Sequence, residues 1–229
     1  MESRNNVRVR VWGDYACFSR PEFKVERVSY PVMTPSAARG VLEAIFWKPE
    51  IRYEVHRIGV LALGSQTVIL RNELKDRQGT KPILVESSRQ QRSSLILKGV
   101  DYIIEAEVRL RPHAVDPIPK YLDQFNRRLD KGQYHHTPYL GTREFAAHFD
   151  RPNGERPQPF DLSIGTMLFD IAFVESAGRD ELEFRRPGRE KPVRGYAQAI
   201  FFDARVKDGW LTVPAEKYKN IYRLEGEHV

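Results

Sequence analysis

The stretch from Tyr30 to Pro49, YPVMTPSAARGVLEAIFWKP, predicts one helix with both of its ends marked in the sequence. Thr34 is a natural N-cap, because its hydroxyl accepts a hydrogen bond from a free backbone N–H of the first turn. Pro35 then takes the first helical position, where proline's missing N–H has no cost. At the other end, Lys48 suits the negative pole of the helix and Pro49 stops it.

One face of this helix is apolar, and a neighbouring face is made of small residues. The apolar stripe, which we expect to face the core, consists of Ala38, Val41, Leu42 and Ile45. The small stripe consists of Ala37, Gly40 and Ala44 and predicts close packing against a sheet. A glycine within a helix costs about 1 kcal/mol relative to alanine, so we expect a packing reason for Gly40.

The chain of 229 residues is long enough for one large domain, or for a medium domain with a small one. No apolar run approaches the roughly 18 residues of a membrane span, and the first residues, MESRNN, do not begin a signal peptide. Cys17 is the only cysteine, which excludes an internal disulfide and favours a buried small side chain over a nucleophile. We therefore expect a cytoplasmic protein with no membrane contact.

The positive charge is concentrated in two segments. The net charge is +6 and the pI is near 9.4. Residues 71–98 and residues 109–143 each contain seven basic and three acidic side chains. Concentrated positive charge favours a polyanionic partner, nucleic acid first, and the alternative is two solvated faces.

The order of the predicted elements is β-α-β-β-α-β, followed by a second group of strands. The first group comprises a strand at 7–11, the helix above, a strand at 51–63, a strand at 101–111, a helix at 120–131 and a strand within 134–149. Residues 64–98 are polar and basic and predict a β-hairpin or a flexible arm. After the linker RPNGERPQP, an antiparallel meander is predicted from segments 167–174, 181–184, 196–206 and 210–213.

We therefore predict an α+β protein of two domains. Residues 1–149 form a ferredoxin-like (RRM-like) domain with a basic insertion, and residues 150–229 form a small antiparallel β-sheet domain.

Several basic and aromatic side chains are candidates for RNA contact. Arg8, Arg10 and Trp12 alternate with valines on the first strand, although Trp12 could instead turn into a second packed layer. The connection 13–29 interleaves aromatic and basic residues, which suits base stacking or a loop pinned to the core. The full set of expected RNA contacts is Arg8, Arg10, Trp12, Arg20, Lys24, Arg27, Arg89 and Arg92. Such contacts make affinity fall with salt.

The candidate catalytic residues are two adjacent histidines and two residues at the start of the second predicted helix. His135 and His136 follow a basic helix, and two adjacent histidines support acid–base work or RNA contact better than a metal site. RNA cleavage without a metal needs a base for the ribose 2′-hydroxyl, an acid for the leaving 5′-oxygen and a cation. Lys120 and Tyr121 form one such group, and the alternative is that they are ordinary helix-start residues.

Three segments carry a family resemblance: RVWGDYACFSRPEFKVERVSYPVMTPSAARGVLEAIFWKP (10–49), VDYIIEAEVRLR (100–111) and YLGTREF (139–145). Together they resemble the subtype I-C CRISPR-associated Cascade subunit of Cas family five. The resemblance implies an endoribonuclease that cuts CRISPR repeat RNA at the base of its stem-loop without a metal or other cofactor. It also implies that the protein keeps the 5′ handle of the crRNA, nucleates the Cascade interference complex and binds the Cascade backbone and large subunits. Duplex DNA is a further candidate partner through the basic surfaces.

The resemblance also implies a cleavage group, made of a tyrosine at the end of the first helix and a Lys-His pair before the second. These positions fall on Phe46, Lys120 and Tyr121. Phe46 has no hydroxyl but could stack on a base, and a tyrosine with a pKa near the ordinary value of about 10 is a poor base. His135 or His136 could supply the missing imidazole.

The substitutions at Phe46 and Tyr121 keep two alternatives open. One is a noncatalytic handle-binding subunit of Cascade, and the other is a general nucleic-acid-binding protein.

Overall fold

Strands dominate the described part of the chain, which in this computed structural model comprises residues 5–23, 25–75, 79–80, 82–186 and 189–226. The strands are β1 (Asn6–Ala16), β2 (Arg27–Val28), β3 (Ile51–Ala62), β4 (Ser65–Leu74), β5 (Arg89–Leu110), β6 (His148–Asp150), β7 (Leu162–Glu175), β8 (Leu182–Phe184), β9 (Val193–Lys207) and β10 (Trp210–Thr212). The helices are α1 (Pro35–Ile45), α2 (Val85–Ser88), α3 (Ile118–Asp130) and α4 (Glu216–Leu224). The α+β class, mostly sheet with few helices, is confirmed.

The strands form one sheet in the order β6-β1-β5-β3-β10-β9-β7, and β2, β4 and β8 pair beside this path. The short β2 is parallel to β5, and the other paired strands are antiparallel. Strands β7 to β10, which follow residue 150, continue this sheet through the pairing of β10 with β3. None of the described helices has the length and apolar character needed to cross a membrane.

The start of α1 follows the prediction, but its end does not. Thr34 caps the helix by accepting a hydrogen bond from the N–H of Ala37 at 3.2 Å, and Pro35 opens it. The helix ends at Ile45, and Phe46 is already extended at φ −148° and ψ 116°. The prediction that the helix continues to Pro49 is therefore wrong. The carbonyl of Ala44, which would accept from Lys48 in a longer helix, instead accepts from the N–H groups of His135 and His136.

The apolar stripe of α1 is confirmed, and the packing reason expected for Gly40 is not. Ala38, Val41, Leu42 and Ile45 are buried. A Cβ placed on Gly40 would meet nothing within 4 Å, so no neighbour requires the absence of a side chain there.

The basic insertion at residues 64–98 contains a β-hairpin, which is one of the two structures predicted for it. Strand β4 pairs with β5 in continuous register from Ser65 opposite Lys98 to Leu74 opposite Arg89. Strand β5 then continues to Leu110, where it pairs with β1 and β3. The hairpin is therefore a direct extension of a core strand. Residues 76–78 and 81 of the insertion lie outside the described part.

Helix α4, which the sequence did not predict, protects one edge of β3. Strand β10 pairs with β3 only at residues 57–59. At Val55, which has no partner on β10, the backbone N–H donates instead to the hydroxyl of Tyr218, at 2.7 Å. One turn later the Tyr222 hydroxyl donates to the Glu54 carboxylate at 2.9 Å. Burial raises the pKa of Tyr218, so its hydroxyl keeps its proton.

We predict that Tyr218→Phe lowers the free energy of unfolding by about 1–3 kcal/mol, because a buried backbone N–H loses its acceptor. Urea denaturation measures the loss. The matched control is Tyr134→Phe, whose ring is 51% exposed and whose substitution should change stability by less than about 0.5 kcal/mol. Equal effects of the two variants would contradict this role of Tyr218.

Candidate functional site

The turn after α3 docks on the C-terminal end of α1. The backbone N–H groups of His135 and His136 both donate to the carbonyl of Ala44, at 2.7 and 3.2 Å. The guanidinium of Arg128 donates to the next carbonyl, that of Ile45, at 3.0 Å. The last carbonyls of a helix lack helical partners and carry partial negative charge, so two N–H groups and one cation stabilise this end.

Four rings lie in a row beside this junction. Trp47 stacks on His135 with ring centroids 6.3 Å apart, His135 lies 5.9 Å from His136, and His136 stacks on Tyr139 at 6.3 Å. Trp47 is 48% exposed and both imidazoles are exposed. We call these four residues the Trp47 surface. Exposed flat rings can stack on unpaired bases, and imidazole is the side chain best suited to proton transfer near neutral pH.

Sequence reasoning missed Trp47. The available signal was its position after Phe46. Where the chain becomes extended, successive side chains point to opposite sides, so a buried Phe46 directs Trp47 outward. The prediction that the ring of Phe46 stacks on a base is wrong, because that ring is buried and lies 5.4 Å from the guanidinium of Arg128.

The structure does not bring Lys120 and Tyr121 to the histidines. These two residues lie in the first turn of α3, whereas His135 and His136 follow its last turn. At 1.5 Å per residue, the ten steps from Lys120 to Asp130 span about 15 Å. An imidazole from this turn therefore cannot complete a compact group around Lys120 and Tyr121.

Lys120 and Tyr121 are both held in their protonated forms. The ammonium of Lys120 donates to the Asp116 carboxylate at 2.7 Å, and this hydrogen bond raises the pKa of Lys120. Desolvation raises the pKa of Tyr121, and the carboxylates of Glu50 and Asp116 raise it further. The ring of Tyr121 is buried in the core. Neither group is suited to act as a base, although Lys120 can bind a phosphate.

The candidate RNA contacts on β1 lie in intramolecular ion pairs. Arg8 pairs with Glu105 at 3.0 Å. Arg10 pairs with Asp101 at 2.6 Å and with Glu155 at 2.7 Å, and its hydrogen bond to Asp101 raises the pKa of Arg10. An RNA phosphate would have to replace these carboxylates.

Trp12 lies on the same outer face of β1. Its ring stacks on His148 at 5.7 Å, and the guanidinium of Arg10 lies 5.0 Å from it. The ring therefore has protein partners on the surface and does not enter a second layer.

The loop candidates are also engaged with other parts of the chain. The guanidinium of Arg20 lies 4.6 Å from the ring centre of Tyr30. Arg27 lies 3.8 Å from both Glu73 and Glu144. Lys24 lies outside the described residues.

The two hairpin candidates differ in their surroundings. Arg89 begins β5 and is exposed. Arg92 is half-buried, lies 3.4 Å from Glu73 and donates to the Val25 carbonyl, also at 3.4 Å. Arg89 is therefore the more accessible of the two to a phosphate.

Over residues 7–214 the sequence matches the protein family described as CRISPR-associated protein (Cas_Cas5). The chain belongs to this family. A relative from Thermus thermophilus, named CRISPR pre-crRNA endoribonuclease Cas5d, is 67% identical over 223 residues, which are 97% of each chain. A protein of the same name from Mannheimia succiniciproducens is 42% identical over 193 residues, covering 74% of this chain and 86% of its own.

The Cas5 family assignment confirms the resemblance found in the sequence. A solved structure described as a CRISPR-associated protein has a TM-score of 0.62 at 21% identity, and the alignment covers 93% of each chain. This likeness supports the overall fold.

We predict that Arg128→Met lowers the free energy of unfolding by about 1–2 kcal/mol, because the end of α1 loses a charged hydrogen bond. Thermal or urea unfolding measures the effect. Arg127→Met is the matched control, since Arg127 is the exposed neighbour on the same helix and should change stability by less than about 0.5 kcal/mol. An Arg128→Met protein as stable as the control would show that this cation does not hold the junction.

Proposed function

We propose that the chain is an endoribonuclease of CRISPR defence that cleaves the repeat hairpin of precursor crRNA. The supporting observation is its 67% identity, over 97% of both chains, to a relative named CRISPR pre-crRNA endoribonuclease Cas5d. The protein then keeps the 5′ handle and joins the backbone and large subunits of Cascade. Its second nucleic-acid partner is duplex DNA, bound through the basic surfaces.

The reaction we propose needs no metal. An imidazole of the Trp47 surface takes the proton of the ribose 2′-hydroxyl, and the 2′-oxygen then forms a bond to the adjacent phosphorus. The bond from phosphorus to the 5′-oxygen breaks, and the second imidazole donates a proton to that oxygen. The products are a 2′,3′-cyclic phosphate and a 5′-hydroxyl. His135 and His136 are assigned these two roles because both are exposed and adjacent.

Lys120 has a different role in this proposal. Because it is charged and lies about 15 Å along α3 from the helix end that the histidines follow, it binds a neighbouring phosphate and positions the RNA. Arg89, Arg92 and the other basic candidates of the loop and hairpin bind the backbone further away. Tyr121 acts through packing, since its ring is buried.

We also infer a division of the fold into two units. Strands β1, β3 and β5, the first two residues of β6, and helices α1 and α3 make the ferredoxin-like unit of residues 1–149. The strand order β6-β1-β5-β3 supports this assignment. Residues 150–229 make the second unit.

A noncatalytic handle-binding subunit is the competing function. It is favoured by three observations at the positions of the family's cleavage group. Phe46 is buried and has no hydroxyl, Tyr121 is buried and protonated, and Lys120 is paired with Asp116.

Single-turnover cleavage of the repeat hairpin RNA in EDTA separates the two functions. We expect the wild-type protein to cut and to leave a 2′,3′-cyclic phosphate, identified by mass spectrometry. His135→Ala and His136→Ala should each slow cutting about 10²–10⁴-fold, which is typical when an acid or base is lost. Lys120→Ala should weaken RNA binding more than it slows the cut, and Tyr121→Phe should cut at the wild-type rate.

His113→Ala is the control for these variants, because His113 is an exposed histidine before α3 and outside the Trp47 surface. Tight binding by the wild-type protein with no cut in EDTA would refute the nuclease and leave the structural subunit. Loss of cutting in Lys120→Ala with full activity in both histidine variants would move the catalytic site to the start of α3.

A further inference from the structure

A cavity of about 410 Å³ opens beside the Trp47 surface. Its walls come from the last two turns of α1, the first residues of β3, strands β7 and β8, and α4. Trp47 lines this cavity and also stacks on His135, so the cavity and the row of rings form one continuous surface. Its size falls in the range of small-molecule sites, about 300–1,000 Å³, and is too small for a nucleic-acid helix.

The walls of the cavity carry an excess of positive charge. Five arginines line it, against three carboxylates. Two of these carboxylates are bound by one arginine, because Arg39 contacts Glu43 at 2.8 Å and Asp170 at 2.7 Å. That group braces α1 against β7. Such a wall favours an anionic ligand.

Aromatic rings lie next to these arginines. The guanidinium of Arg52 lies 3.4 Å from the ring centre of Tyr222, and that of Arg186 lies 5.2 Å from Phe184. Phe184 also contacts Phe173, with ring centroids 5.5 Å apart, and Phe173 is 40% exposed. Proteins bind single nucleotides with this combination of groups: a guanidinium binds the phosphate, and an aromatic ring beside it stacks on the base.

We infer that this cavity binds one unpaired nucleotide of the substrate RNA. The base stacks on the pair Phe173–Phe184, and the phosphate binds Arg185, which is exposed at the edge of the cavity. This inference rests on the proposed function and adds a specificity site that is separate from the cleavage group. Trp47 connects the two sites, so the nucleotide in the cavity lies close to the scissile phosphate along the same strand.

The same chemistry would also accept a free mononucleotide. We favour the RNA strand because Trp47, which lines the cavity, stacks directly on one of the proposed catalytic imidazoles.

The test uses repeat RNA that cannot be cut, with a 2′-deoxy nucleotide at the scissile position and 2-aminopurine placed in turn at each unpaired position. Stacking quenches this base, so we expect one position to lose fluorescence when the wild-type protein binds. Phe173→Ala and Arg185→Ala should abolish that quench and weaken RNA binding about tenfold, in line with the loss of one stacked base. Arg205→Ala is the control, since Arg205 is an exposed arginine on β9 paired with Asp203.

Each contrary result has a distinct meaning. Quenching that neither variant changes, with RNA binding and cleavage intact, would overturn the cavity site and leave the nuclease in place. A wild-type protein that fails to bind the RNA would overturn the proposed function and this inference with it. Micromolar binding of AMP in equilibrium dialysis, with RNA binding unaffected by Phe173→Ala, would assign the cavity to a free nucleotide and refute the RNA subsite. Arg185→Ala keeps the test valid if Phe173→Ala misfolds, because Arg185 is exposed.

Discussion

The hydrogen bonds between the turn after α3 and the carbonyl of Ala44 hold the candidate site together. They bring His135 and His136, which follow α3, against the end of α1, where Trp47 emerges. Because α1 stops at Ile45, its open carbonyls can bind these N–H groups and the guanidinium of Arg128. In a helix that continued to Lys48, the carbonyl of Ala44 would accept from the N–H of Lys48 and could not bind this turn in the same way.

Positive charge serves different purposes on different parts of the surface. On the outer face of β1, arginines such as Arg10 are paired with carboxylates of neighbouring segments, so much of that charge stabilises the fold. Around the cavity beside Trp47, arginines outnumber carboxylates and lie beside aromatic rings. The net charge of +6 indicates a polyanionic partner, and the structure adds which arginines of β1 such a partner would have to take from protein carboxylates.

Local patterns predicted much of the fold, and long-range contacts decided the rest. The capped start of α1, the insertion hairpin and the later strands could be predicted because periodicity and capping act within a few residues. The early end of α1 could not, because the N–H groups that bind its Ala44 carbonyl belong to His135 and His136, far along the chain. The pairing of Arg10 with Asp101, 91 residues away, could not be predicted from local patterns either. The sequence therefore gave no sign that the arginines of β1 are bound by carboxylates of the same chain. Helix α4 was missed because its stability comes from tertiary contacts such as the bond between Val55 and Tyr218.

We propose that the RNA binds at the end of α1 and does not lie across the outer face of β1. The decisive experiment is photocrosslinking with uncleavable repeat RNA that carries 4-thiouridine near the scissile position, followed by mass spectrometry of the peptides. We expect crosslinks in peptides that contain Trp47 or the pair His135–His136. Crosslinks confined to the β1 peptide that contains Trp12 would contradict it.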